Sequence, residues 1–124
     1  MNEIKENIIV AKSYTFALET IHVYKLLIED KEFVLSKQLL RAGTYNGADI
    51  YEAIASESKK GFLHILGIAL KEAREVSWLS LLKDSQYICI EKFTTLENSS
   101  IETIKILNRI ILTTKQRYFP IHNY

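Results

Sequence analysis

The only proline in this 124-residue chain, Pro120, stands at the far C-terminal end. Proline removes a backbone donor and clashes with the preceding turn, so it ends or kinks a helix. Nothing ahead of Pro120 imposes that break, and long helices fit better than many short strands joined by turns. The apolar spacing agrees. Ile9, Phe16, Val23 and Leu27, with Ala17 and Tyr24 beside them, recur at the three- and four-residue steps of an amphipathic helix over about 7–29. The polar cluster Glu29-Asp30-Lys31-Glu32 makes a turn short enough for an antiparallel neighbour.

A second helix is expected over about 35–55, with Leu35, Leu39, Ala42, Ile50 and Ala53 on its apolar side and Ser36 as its N-cap. Gly43 and Gly47 stand four apart, hence on one face. Each costs a helix up to ~1 kcal/mol relative to alanine. The expected compensation is close approach of another backbone, and a kink at Gly47 is the alternative. Ser56 and Ser58 offer N-caps for a third helix over about 58–83. Its stripe of Phe62, Ile65, Leu66, Ala69, Ala73 and Val76 is widened by Leu63, Leu70, Trp78, Leu81 and Leu82 to most of the circumference. A helix apolar on more than one side must be covered on more than one side, which predicts a second subunit against it. Phe93, Leu96, Ile101, Ile104, Leu107 and Ile111 mark a fourth helix over about 91–116, with Asn98-Ser99-Ser100 as a weak patch where it frays or bends. The reading is an all-α protein, an antiparallel up-down four-helix bundle, in one domain over 1–124.

The net charge of +1 hides a gradient. Residues 1–34 and 84–102 carry more acids than bases, whereas residues 103–124 carry Lys105, Arg109, Lys115 and Arg117 and no acid. These four bases are candidates for phosphate contacts, and bases at a helix C-terminus are also favoured by the helix dipole alone. Cys89 is alone, so no intrachain disulfide forms and a reducing compartment is expected; its expected role is a small buried hydrophobe. No apolar run reaches the ~18 residues of a membrane span, and the expected location is the cytoplasm.

Candidate chemistry is sparse. Glu19 and His22 form one Glu-x-x-His unit, which di-iron bundles use twice, and no second copy exists. The stretch Gly43-Thr44-Tyr45-Asn46-Gly47 lacks the Lys-Ser/Thr of a phosphate loop. No nucleophile–base set assembles from spacing, so no enzyme, metal or cofactor is expected. Arg41, Asp49 and Glu52 fall within about two turns of one side of the second helix, and Glu72 and Glu75 sit in the apolar third helix. They read as a structural Arg–carboxylate network, as solvated pairs, or least of all as catalytic groups.

The residues QLLRAGTYNGADIYEA, followed by SKKGFLHILGIALKEAREVSWLSLLKDS, resemble the small bacterial four-helix-bundle proteins of the 23S rRNA intervening-sequence family, relatives of the accessory proteins of diversity-generating retroelements. Gln38, Arg41, Gly43, Thr44, Gly47, Ala48, Ile50, Glu52, Ala69, Glu72, Ala73, Glu75, Trp78 and Leu79 carry the resemblance. It implies an up-down bundle, a ring-like homopentamer, a nucleic-acid-binding role and no catalysis. Asp49 stands where the family commonly has Asn, and Tyr51 where an acid is common. Two functions follow as expectations. One is a homo-oligomer binding RNA or DNA through Lys105, Arg109, Lys115 and Arg117; the other is a structural or adaptor oligomer with a protein partner.

Overall fold

The computed structural model describes residues 3–121, with side chains from Ile8 onward. Four long helices, α1 (Glu3–Glu29), α2 (Leu35–Ile54), α3 (Lys59–Trp78) and α5 (Ile90–Tyr118), are joined by short connections, with one extra turn, α4 (Leu81–Asp84), before the last. Each long helix packs on two neighbours in the cyclic order α1–α2–α3–α5. Neighbours run antiparallel: Lys12 pairs with Glu102, Gln38 with Glu75, and Ser77 with Ser100. This is the up-down four-helix bundle that the spacing predicts.

Two helix starts are made differently. At α3 the Ser58 hydroxyl accepts the Gly61 N–H at 3.0 Å, an ordinary cap. At α2 the expected cap, Ser36, lies inside the helix. The Glu32 carboxylate caps instead, accepting from the N–H groups of Val34, Leu35 and Ser36 at 3.3, 3.0 and 2.6 Å. Three orphan donors on one carboxylate, at the positive end of the helix, outweigh what one serine hydroxyl can satisfy.

The third helix ends earlier than about 83. It stops at Trp78, turns through Leu79 and Ser80, and restarts as α4. The break lets both Leu79 and Leu82 reach full burial beside Phe93 and Leu96. Cys89 corrects the expectation of burial: it is exposed in the N-cap position of α5, and Ile88 takes the buried place next to it. The Asn98–Ser100 patch neither frays nor bends α5, because the Ser100 hydroxyl donates to the Glu97 carbonyl at 2.7 Å and meets the Ser77 hydroxyl at 2.8 Å.

The core has two apolar clusters. One gathers Phe16, Val23, Leu27, Leu39, Val76, Leu79, Phe93 and Leu96; the other gathers Ile9, Ile50, Phe62, Leu66, Leu107 and Ile110. Buried Ser13, Asn46, Ser100 and Thr103 lie between them along their helices. The Asn46 amide donates to the Ala69 carbonyl of α3 at 2.7 Å, tying α2 to α3 at mid-height.

The two glycines of α2 face α1, and the helix runs through both without interruption. A Cβ on Gly43 would overlap the Thr20 side chain, whose hydroxyl donates to the Phe16 carbonyl. A Cβ on Gly47 would stand 3.3 Å from the Ser13 carbonyl oxygen. Close packing, not a kink, is what these glycines serve. Gly43→Leu should therefore lose about 1–3 kcal/mol by overpacking, more than its helix-propensity gain of about 1 kcal/mol. Urea titration measures it, and unchanged or raised stability would contradict the close contact.

Candidate functional site

Two surfaces stand out, a groove between α2 and α3 and one end of the bundle. The groove encloses about 490 Å³ and is lined by Val34, Lys37, Gln38, Arg41, Ala42, Tyr45, Glu72 and Glu75. The stripe Gln38, Arg41, Tyr45, Asp49, Glu52 recurs at three- and four-residue steps, so α2 presents it along one edge. From α3 the groove receives Glu72 and Glu75. The Gln38 amide donates to the Glu75 carboxylate at 3.1 Å.

All five residues expected to form an Arg–carboxylate network lie along this groove or its rim. Among the described residues the guanidinium is not the link. Arg41 has no carboxylate within salt-bridge distance and lies over the Tyr45 ring at 5.8 Å, while Glu52 is exposed. The two acids that do meet are Asp49 and Glu72. Burial first, then the hydrogen bond to Asp49, then the charges of Asp49 and Glu75 push the Glu72 carboxyl from 4.5 up to about 8. Two carboxyls can share a hydrogen bond only if one keeps its proton, so at neutral pH the pair holds one. The Glu72 Oε1 atom is shielded from solvent and has no hydrogen-bond partner among the described residues. Sequence reasoning placed both acids on facing helices but not in contact; Asp49, where an Asn is common in the family it resembles, was the available signal.

The remaining surface explains why the third helix reads as apolar all round. Leu63, Leu70 and Leu81 are half-buried against neighbours, but Ile68 is 41% exposed and Trp78 is 65% exposed. Arg74, one turn before Trp78, is exposed and without an ion pair among the described residues.

The four C-terminal bases do not form one patch. Lys105 and Arg109 are one turn apart and flank a groove with Ile8, Ile106 and Ile110 on the α1–α5 side. Lys115 and Arg117, at 100° per residue, turn away to opposite sides of that line. They meet other company at the end of the bundle. Lys59, in the first turn of α3, lies 5.0 Å from the Tyr118 ring, and Arg117 lies 6.0 Å from the same ring. Lys59, Lys60, Lys115 and Arg117 therefore share one end with the exposed aromatics Tyr118 and Phe119. Lys59 and Lys60 were missed in the sequence because they lie some 55 residues from the C-terminal bases; only the antiparallel pairing of α3 and α5 brings them together. The opposite end carries Glu29, Asp30, Asp84 and Glu91. On that side Lys83 bridges Glu97 at 2.7 Å, and this contact raises the Lys83 pKa.

His22 of the Glu-x-x-His unit is exposed, and among the described residues no three His, Cys, Asp or Glu side chains gather as a metal site. No helix of the described residues is long and apolar enough to cross a membrane.

Over residues 5–109 the sequence matches the family model described as 23S rRNA-intervening sequence protein. The chain belongs to that family. A solved structure from Bacteroides thetaiotaomicron, described as a protein of unknown function from the S23 ribosomal protein family, is 45% identical. The two superpose with a TM-score of 0.83 over 87% of this chain and 98% of that one. No curated protein matches the chain. In this intervening-sequence protein the groove and the basic end are thus features of a family fold whose reaction, if any, is not indicated by either likeness.

The Asp49–Glu72 pair has a measurable consequence. Between about pH 4.5 and 8 the folded chain holds a proton on Glu72 that the unfolded chain has released. The stability tied to that proton is complete below pH 4.5 and is lost as pH rises through 8. Glu72→Gln keeps a neutral donor at the site. Urea midpoints should fall from pH 5 to pH 8 in the parent and be flatter in the variant, with the variant the more stable at pH 8. Parallel curves would show that the pair does not hold the proton.

Proposed function

We propose that this protein is a non-enzymatic homo-oligomer, a ring in the reading favoured here, that binds RNA or DNA by its phosphate backbone. The observation that carries the reading is the separation of charge along the bundle. Lys59, Lys60, Lys115 and Arg117 gather at one end around Tyr118, while acids dominate the other end. One copy has too few bases for tight binding at physiological salt. Copies arranged with their bundle axes parallel would repeat the basic end around one rim, and linked weak contacts gain affinity without any new kind of contact. Lys105 and Arg109, on the flank of α5, extend the same positive side toward the middle of the bundle. Exposed Tyr118 and Phe119 supply flat apolar surface beside the bases, which suits unstacked nucleotides. Backbone contacts position without reading sequence, so preference among sequences should be weak.

Exposed Trp78 and the partly apolar groove beside it favour a second reading, an adaptor oligomer that binds a protein. Salt separates the two. Each phosphate contact steepens the fall of affinity by about one log unit per log unit of salt. Replacing Lys59, Lys60, Lys115 and Arg117 by glutamine should weaken binding to mixed single-stranded RNA at least tenfold and flatten the salt slope, with the oligomer unchanged on light scattering. Replacing Lys105 and Arg109 should have the same direction and a smaller effect. A parent that binds neither RNA nor DNA at low salt would hand the reading to the adaptor.

A further inference from the structure

We infer that the groove between α2 and α3 receives the Arg74–Trp78 edge of a second copy of this chain, with the incoming guanidinium meeting Glu72 and Asp49. The proposal rests on the oligomer reading above and names the surfaces that make it.

Helix α3 carries both halves of this contact. Glu72 faces α2 and has a carboxyl oxygen shielded from solvent with no donor of its own. Arg74 is two residues on, about 200° around the helix, on the exposed edge nearer α5. It has no acid within ion-pair distance among the described residues. The acid lacks a donor and the donor lacks an acid, on different faces of one helix. No single copy can bring them together, because they point in nearly opposite directions. Two copies side by side can, and a bidentate guanidinium fits a pair of carboxyls better than an ammonium does.

The heights agree as well. Glu72 and Arg74 differ by about 3 Å along the helix axis. Trp78, one turn past Arg74 on the same edge, lies just beyond the level of Glu75, whose partner across the groove is Gln38. At that level the groove is lined by Val34 and Lys37, with Ala42 and Tyr45 further in. An indole that is 65% exposed in one copy thus meets an apolar slot at matching height in the next. The contact joins two different faces, so it is heterologous and each copy offers both halves. With almost no shift along the axis, successive copies are related by rotation rather than by a screw, and such a contact closes into a ring. It also leaves Lys59, Lys60, Lys115 and Arg117 of every copy on one rim.

Light scattering behind a sizing column tests the inference on the full chain, whose single copy is 14.4 kDa. Arg74→Glu should raise the concentration at which the assembly dissociates at least tenfold, with unchanged helix content by circular dichroism. Arg74→Glu combined with Glu72→Lys reverses both halves and should assemble again. The only tryptophan gives a second readout: dilution of the parent should shift Trp78 emission to the red as the indole returns to water. If Arg74→Glu assembles like the parent, or if the folded double variant stays apart, this pairing is overturned while the oligomer reading stands. A parent that is a clean monomer at tens of micromolar overturns both, and leaves the groove to a basic segment of some other protein.

Discussion

One buried amide sets the register on which the functional surface depends. Asn46 lies in the core with its side-chain N–H on the Ala69 carbonyl, reaching from α2 to the main chain of α3. An apolar side chain there would pack as well at several heights, since methyl groups are indifferent to a shift of one turn. A hydrogen bond to one carbonyl is not, because sliding would leave a buried polar group unpaired. With Asn46 opposite Ala69, Asp49 comes within reach of Glu72, and Gln38 meets Glu75. The Asn46 carbonyl oxygen is left without a partner, so the amide contributes register more clearly than stability.

On the other side of α2 the constraint is steric. Gly43 and Gly47 remove the side chains that would hold α1 away, and Thr20 folds its hydroxyl back onto Phe16 to fill the space. The helix thus has a tight apolar flank toward α1 and a looser, polar flank toward α3. A groove opens only on the second flank. Packing density is therefore what divides α2 into a structural side and a side available to a partner.

Charge follows topology in the same way. Along the chain the bases of residues 103–124 look like one unopposed run. On the bundle they split. Lys105 and Arg109 stay on a flank, and Lys115 and Arg117 join Lys59 and Lys60 at an end. The split arises because a helix spreads neighbouring residues around its circumference, while antiparallel pairing brings remote ones to the same height. A charge count along a sequence sees neither effect.

The sequence by itself determined the bundle. One proline at the end, apolar steps of three and four, and four segments of similar length leave little but antiparallel helices. It also determined that α3 is too apolar for one copy, since that follows from spacing alone. The family could be read from the Gln38–Ser85 stretch for the same reason that the core could: its residues are those the packing and the α2–α3 groove require. What only the tertiary structure decided are contacts between groups far apart in the chain: Asp49 with Glu72, Lys59 with Tyr118, and Glu32 rather than Ser36 on the start of α2. Periodicity reports which face a residue occupies, but not which atom on the next element stands opposite it. That second fact depends on register, and register here rests on a few specific contacts, Asn46 to Ala69 and Gly43 to Thr20.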